Sequence, residues 1–213
     1  MTPPEPAQPR DAGTELPLFP LGTVLFPGGL MPLQIFETRY LDLVKRCMRE
    51  QRPFGVVLIR EGSEASGDED FPPKVADVGT RARIVDFTQL ANGMLGITAR
   101  GEDRFRLGAT RVQDDRLLVG EATPLAEPDA VEVPAECFPA RDPAAAARAS
   151  GGQPARGGGG LEDARSVSGR LADLLPVSAT LKQSLLELDD PILRLAELER
   201  VVHAMQEEAE GAD

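Results

Sequence analysis

From Leu16 to Tyr40 the chain runs LPLFPLGTVLFPGGLMPLQIFETRY, its densest apolar stretch, and proline or glycine breaks it every few residues. Leu16–Phe19, Thr23–Phe26 and Leu30–Ile35 are short β-type runs, with Leu21-Gly22 and Pro27-Gly28-Gly29 between them as turn signals. Proline carries no backbone donor, so Pro17, Pro20, Pro27 and Pro32 belong at strand edges, bends or bulges. The stretch is expected to form the rim and first strands of a small curved sheet. After Phe36 the apolar period changes from two to 3.6 and a helix begins.

Tyr40, Leu41, Val44, Cys47 and Met48 form one apolar face of a helix expected over 38–51, with Thr38 as N-cap and Pro53 as the stop. The continuous apolar run Phe54–Arg60 reads as a buried strand. Glu61 to Pro73 is rich in Gly, Ser and acid and reads as an exposed loop. Arg81–Leu90 and Met94–Arg100 flank Ala91-Asn92-Gly93, where Asn-Gly is expected to take positive φ at both turn positions of a hairpin. Arg104–Leu107 and Leu117–Glu121 form another strand pair around Gln113-Asp114-Asp115. Short strands at this spacing predict a barrel or sandwich, not a parallel sheet.

Beyond Pro124 the composition shifts, and six of the ten residues Gly151–Gly160 are glycine. A flexible linker is expected over 141–160. Three helices should follow. Val167, Leu171, Leu174 and Leu175 stripe the first. Ser178 caps the second, with Leu181, Leu185 and Leu188 inward. Asp190-Pro191 opens the third, with Ile192, Leu195, Leu198, Val202 and Met205 inward. The fold class is therefore α+β, a small β-barrel followed by a C-terminal helical bundle. The expected divisions are a disordered leader at 1–15, a barrel domain at 16–140, the linker, a bundle at 161–207 and an acidic tail at 208–213.

The net charge of −12 and pI of about 4.6 weigh against binding to nucleic acid or an anionic membrane, where affinity comes mainly from Lys and Arg. Between Gly79 and Gly120 seven arginines face five acids, too small an excess for a nucleic-acid surface. Cys47 and Cys137 lie far apart in sequence and read as free thiols. No signal-peptide core and no long apolar run is present, so a cytoplasmic location is expected.

No lysine follows a glycine, so there is no P-loop. One histidine, His203, and two separated cysteines supply no ordinary zinc site and no Ser-His-Asp triad close in sequence. No catalytic residue, metal or cofactor is expected.

The order of motifs resembles the N-terminal domain of Lon proteases. The opening stretch is similar to that family's Pro-rich strand, FPG turn, second P-L strand and helix. Val78-Gly79-Thr80-Arg81-Ala82-Arg83-Ile84 resembles its VGT-x-A-x-I strand, and Gly101-Glu102-Asp103-Arg104-Phe105-Arg106 its G-x-x-R-F/V strand. LLELDDPILRLAELERVV is similar to the tail of the small stand-alone members. The resemblance implies a barrel related to PUA domains followed by a helical bundle. It also implies a non-catalytic module that captures exposed apolar segments of unfolded or damaged polypeptides. In full-length Lon such a module helps select polypeptide substrates, while other domains do the cutting. No ATPase module and no protease segment with a Ser-Lys pair is recognisable here. Phe26, Met31, Phe36, Arg39 and Tyr40, where sheet passes to helix, are the expected polypeptide-binding residues. Three alternatives remain at this point: an RNA-binding PUA-like module, a hydrolase using carboxylates, or an adaptor docking on a separate protease.

Overall fold

The alternating and continuous apolar runs close into a ring of strands. The computed structural model describes residues 14–63, 72–126, 131 and 164–210, without the side chains of 208–210. The linker expected at 141–160 lies outside them, as do Cys137 and most of the 61–73 loop. The strands are β1 (Thr14–Leu21), β2 (Leu30–Ile35), β3 (Phe54–Glu61), β4 (Lys74–Val75), β5 (Val78–Gln89), β6 (Leu95–Val112) and β7 (Leu118–Pro124). They run in the order β1-β7-β6-β5-β3-β4, and a parallel β1–β3 pairing closes the ring. Every other pairing is antiparallel. β2 adds to the first half of β6, so Leu95–Arg100 is flanked by β2 and β5.

Proline in β1 is tolerated because the strand changes partners midway. Thr14–Pro17 pairs with β7 and Leu18–Leu21 with β3. Over each half one side of the strand lacks a ladder partner, the condition under which a sheet accepts a residue without an N–H. The strand starts at Thr14, inside the segment expected to be a leader.

Thr23–Phe26 is not a strand, contrary to the sequence pattern. Its backbone is satisfied elsewhere: the Thr80 hydroxyl donates to the Leu25 carbonyl at 2.6 Å. Gly28 N donates to Gly101 O at 2.9 Å, and Gly101 N to Gly29 O at 3.0 Å. Val24, Leu25 and Phe26 are nonetheless buried. The 91–93 hairpin is present, but only Gly93 takes positive φ, at 81°. Asn92 instead accepts from Met94 N through its side chain at 3.1 Å, so the turn is a longer one than a two-residue Asn-Gly turn.

Helix α1 spans Thr38–Glu50, and its N-cap is Glu37, not Thr38, with no side-chain cap bond. Its buried face is Arg39, Tyr40, Leu43, Val44 and Cys47, with Leu41 and Met48 half-buried at the margin. It packs on Phe19, Ile35, Phe54, Val56, Ala82, Ile97 and Ala99. The barrel lumen holds a separate cluster of Leu16, Leu18, Val57, Phe105, Leu118 and Ala122.

Helices α2 (Ala164–Leu174), α3 (Ala179–Glu187) and α4 (Pro191–Glu210) form the bundle. Both expected caps are made: Ser178 accepts from Leu181 N, and Asp190 accepts from Ile192 N at 2.8 Å. The bundle docks on the barrel. Leu171, Leu175, Leu185, Leu198 and Val202 share one cluster with Val24, Phe26, Leu58, Ala76 and Val78. Polar ties reinforce the joint: Arg104 donates to Leu186 O at 2.8 Å, and Gln183 to Val78 O at 3.0 Å. Burial of these leucines against the barrel supplies the main stabilisation, about 1.5–3 kcal/mol for each fully buried aliphatic side chain.

Candidate functional site

The five residues expected to form a binding groove divide between core and surface. Phe26 is fully buried between barrel and bundle. Tyr40 is buried and stacks on Phe19, with ring centroids 4.0 Å apart and planes 11° from parallel. Arg39 is 5% exposed, lies 4.7 Å from the Tyr40 ring centroid and pairs with Glu37 at 3.0 Å. It also donates to Arg116 O at 3.1 Å, tying α1 to the β6–β7 turn. Arg39 and Tyr40 thus hold α1 in position. Met31 is half-buried and Phe36 is 70% exposed, so these two are open to a partner.

The sheet around them continues this apolar surface. Residues directly opposite in an antiparallel pair share a face. Leu33, Ile97 and Phe87 therefore make one row across β2, β6 and β5, and Met31, Ala99 and Ile84 make the next. Ile97 and Ala99 lie under α1, whereas Leu33, Met31 and Ile84 are half-buried at its margin. Phe87 is 60% exposed. Met48, at the C-terminal end of α1, joins Ile84 and Phe87 in lining a cleft between helix and sheet. At one end of this cleft Arg83 donates to Gln51 O at 2.7 Å and pairs with Glu102 at 2.7 Å.

Sequence reading missed Leu33, Leu41, Met48, Ile84 and Phe87 as members of this face. A bulge between Ile84 and Asp86 changes the parity of β5 and turns Phe87 to the same side as Ile84. The signal was present in the consecutive apolar pair Ile84-Val85 followed by Phe87, which breaks strict alternation.

The cleft on this face sets Met48, Ile84, Val85 and Phe87 beside Gln51, Arg52, Arg83 and Asp86. The Cys47 thiol beside the cleft is pushed up to about 11, chiefly by burial, so it stays protonated at neutral pH. Asp173 is raised by burial and Lys182 lowered by burial, but both belong to the bundle. Among the described residues no group of three His, Cys, Asp or Glu is arranged to hold a metal ion. No helix among them is long and apolar enough to cross a membrane.

Comparison with known proteins matches residues 15–150 to the family model of the ATP-dependent protease La (LON) substrate-binding domain. Lon protease 2 of Myxococcus xanthus is 34% identical over 111 residues, which is 50% of this chain and 13% of that protein. The Lon protease of Anaeromyxobacter dehalogenans is 33% identical over 111 residues, 50% of this chain and 12% of that protein. The chain thus matches only about an eighth of the length of these relatives. A crystal structure of a Lon N-terminal domain protein from Xanthomonas campestris superposes with a TM-score of 0.69 and 38% identity, covering 88% of this chain and 98% of that one. The N-terminal domain of Mycobacterium avium complex Lon protease shares the fold, with a TM-score of 0.55 at 17% identity over 89% of this chain and 98% of that one.

Proposed function

The chain belongs to the family of the Lon substrate-binding domain, and from that premise we propose that it is a non-catalytic module that captures unfolded polypeptides on the face between α1 and the β2-β6-β5 sheet. The observation that carries this reading is the partly exposed apolar rim of Met31, Met48, Ile84 and Phe87, with exposed Phe36 at the passage from β2 to α1. Large apolar side chains left in water mark interaction surfaces when they cluster beside a cleft.

The mode of capture is side-chain insertion, not strand addition. Pro32 sits in the middle of β2 and is exposed, and a proline interrupts the row of donors that an added strand would need. An apolar rim with half-buried methionines suits varied sequences, because methionine adapts its shape to different partners. An adaptor that presents such polypeptides to a separate protease would use the same face.

The test is Met31→Asp against reduced, carboxymethylated α-lactalbumin, a permanently unfolded chain. Weakened binding with an unchanged circular dichroism spectrum supports the reading. Loss of the folded spectrum assigns Met31 to the core, and unchanged binding contradicts its part in capture.

A further inference from the structure

The open end of the barrel holds a second feature, distinct from the apolar rim. Arg81 is the register partner of Gly55 across β3 and β5. A Cβ at Gly55 would meet Leu16, Leu18 and Phe105 at 2.8–2.9 Å, so that face is the barrel lumen. Sharing the face, Arg81 turns the same way. It lines a cleft of about 140 Å³ with Leu16, Phe105 and Ala122 as the apolar wall and Arg52 beside it.

Glu15 on the rim and Glu50 beside Arg52 are each engaged by an arginine outside the cleft. Arg81 Nε is buried and has no hydrogen-bond partner among the described residues. Glu15 shares the rim, but its carboxylate is held by Arg111 at 2.7–3.1 Å. Arg52 lies 3.8 Å from Glu50, which pairs with Arg49 at 2.8 Å. A buried donor without a partner is costly, and a guanidinium fork matches a carboxylate in shape and charge.

We propose that the barrel mouth at Arg81 binds a carboxylate carried on a short apolar stem, as at the free C-terminus of a polypeptide. Size supports this choice. Pockets for drug-sized ligands and cofactors run to about 300–1,000 Å³, and this one suits only the end of a chain or a short acid. The site does not depend on the Phe36 rim, which takes apolar side chains anywhere along a chain and needs no carboxylate.

The test uses the full chain and three probes: an N-terminally labelled pentapeptide ending in leucine with a free carboxylate, the same peptide as its amide, and hexanoate. Anisotropy measures affinity, and the Arg81 Nε–Hε resonance reports the site. The free-acid peptide is expected to move that resonance and to bind at least about tenfold tighter than the amide, the effect of one charge-assisted contact. Arg81→Gln is expected to abolish the difference without changing the thermal midpoint. Should Arg81→Gln fail to fold, the wild-type resonance decides. Displacement of the peptide by hexanoate extends the site to free acids, and its failure restricts the site to polypeptide termini. Equal binding of acid and amide, an acid-specific signal that leaves Arg81 unmoved, or no binding by any probe overturns the proposal. Capture of unfolded lactalbumin at the Phe36 rim would survive each of those results.

Discussion

Arg104 on β6 donates to the carbonyl oxygen of Leu188 at 3.2 Å, joining the barrel to the C-terminal end of α3. The same guanidinium donates to Leu186 O and pairs with Asp189 at 3.2 Å. Arg194 of α4 reaches Leu188 O as well, and Leu185 O at 2.9 Å. Two buried cations therefore satisfy carbonyls that the end of a helix leaves without partners, at the negative end of its dipole.

Arg104→Met removes the donor to the Leu186 carbonyl, while the Leu188 carbonyl keeps Arg194. The expected cost is about 2–4 kcal/mol, from the carbonyl left unpaired and the lost ion contact. Urea unfolding should show a clearly lowered midpoint. Arg104→Lys, which keeps the charge but not the fork, should fall between. A midpoint unchanged in Arg104→Met contradicts the role given to this joint.

Gly101 touches the turn before β2. A Cβ there would lie 2.2 Å from Phe26 O, and two backbone bonds link Gly101 to Gly28 and Gly29. Gly101→Ala forces the two segments apart and should cost about 1–3 kcal/mol or more. Gly93, at φ 81° with open space around it, is the control. Gly93→Ala carries only backbone strain and should cost about 1 kcal/mol. Thermal melts of the two variants compare them directly.

Cys47 sets part of the alkaline limit of stability. Its folded pKa is about 11 against an ordinary 9.0, raised by burial and opposed by Arg46 and Arg52. Between those values the unfolded chain releases a proton that the folded chain keeps, so stability falls as pH rises from 9 to 11. Below that window the thiol contributes no pH dependence. Cys47→Ala should flatten this part of the stability curve. In a Cys137→Ser background, iodoacetamide at pH 8 should label the native protein far more slowly than the urea-unfolded chain.

Local signals were legible in the sequence because they act within a few residues. Ser178 and Asp190 cap their helices as their side chains and spacing dictate. The α+β class and the leucine stripes of the bundle followed from periodicity in the same way. Long-range pairings were not legible. Nothing local to Arg104 marks it as buried, yet it is 1% exposed, because its partner Leu186 O lies on α3, more than eighty residues further along. Arg39 read as a surface contact and is instead a strut, since its partner Arg116 O stands on a turn distant in sequence. The Thr23–Phe26 run has strand composition, but the Thr80 hydroxyl and Gly29 N donate to its Leu25 and Phe26 carbonyls, outside any ladder. The apolar face was half visible: Met31 and Phe36 came from the sheet-to-helix passage, whereas Phe87 needed the β5 bulge.

Binding of reduced, carboxymethylated α-lactalbumin to the wild type and to Phe36→Asp/Phe87→Asp tests the capture face most directly. Phe36 and Phe87 are 70% and 60% exposed, so each substitution should change stability by no more than about 0.5 kcal/mol. The account predicts at least a tenfold loss of affinity at an unchanged thermal midpoint, equivalent to about 1.4 kcal/mol. Full affinity in the folded double variant would contradict polypeptide capture at this face.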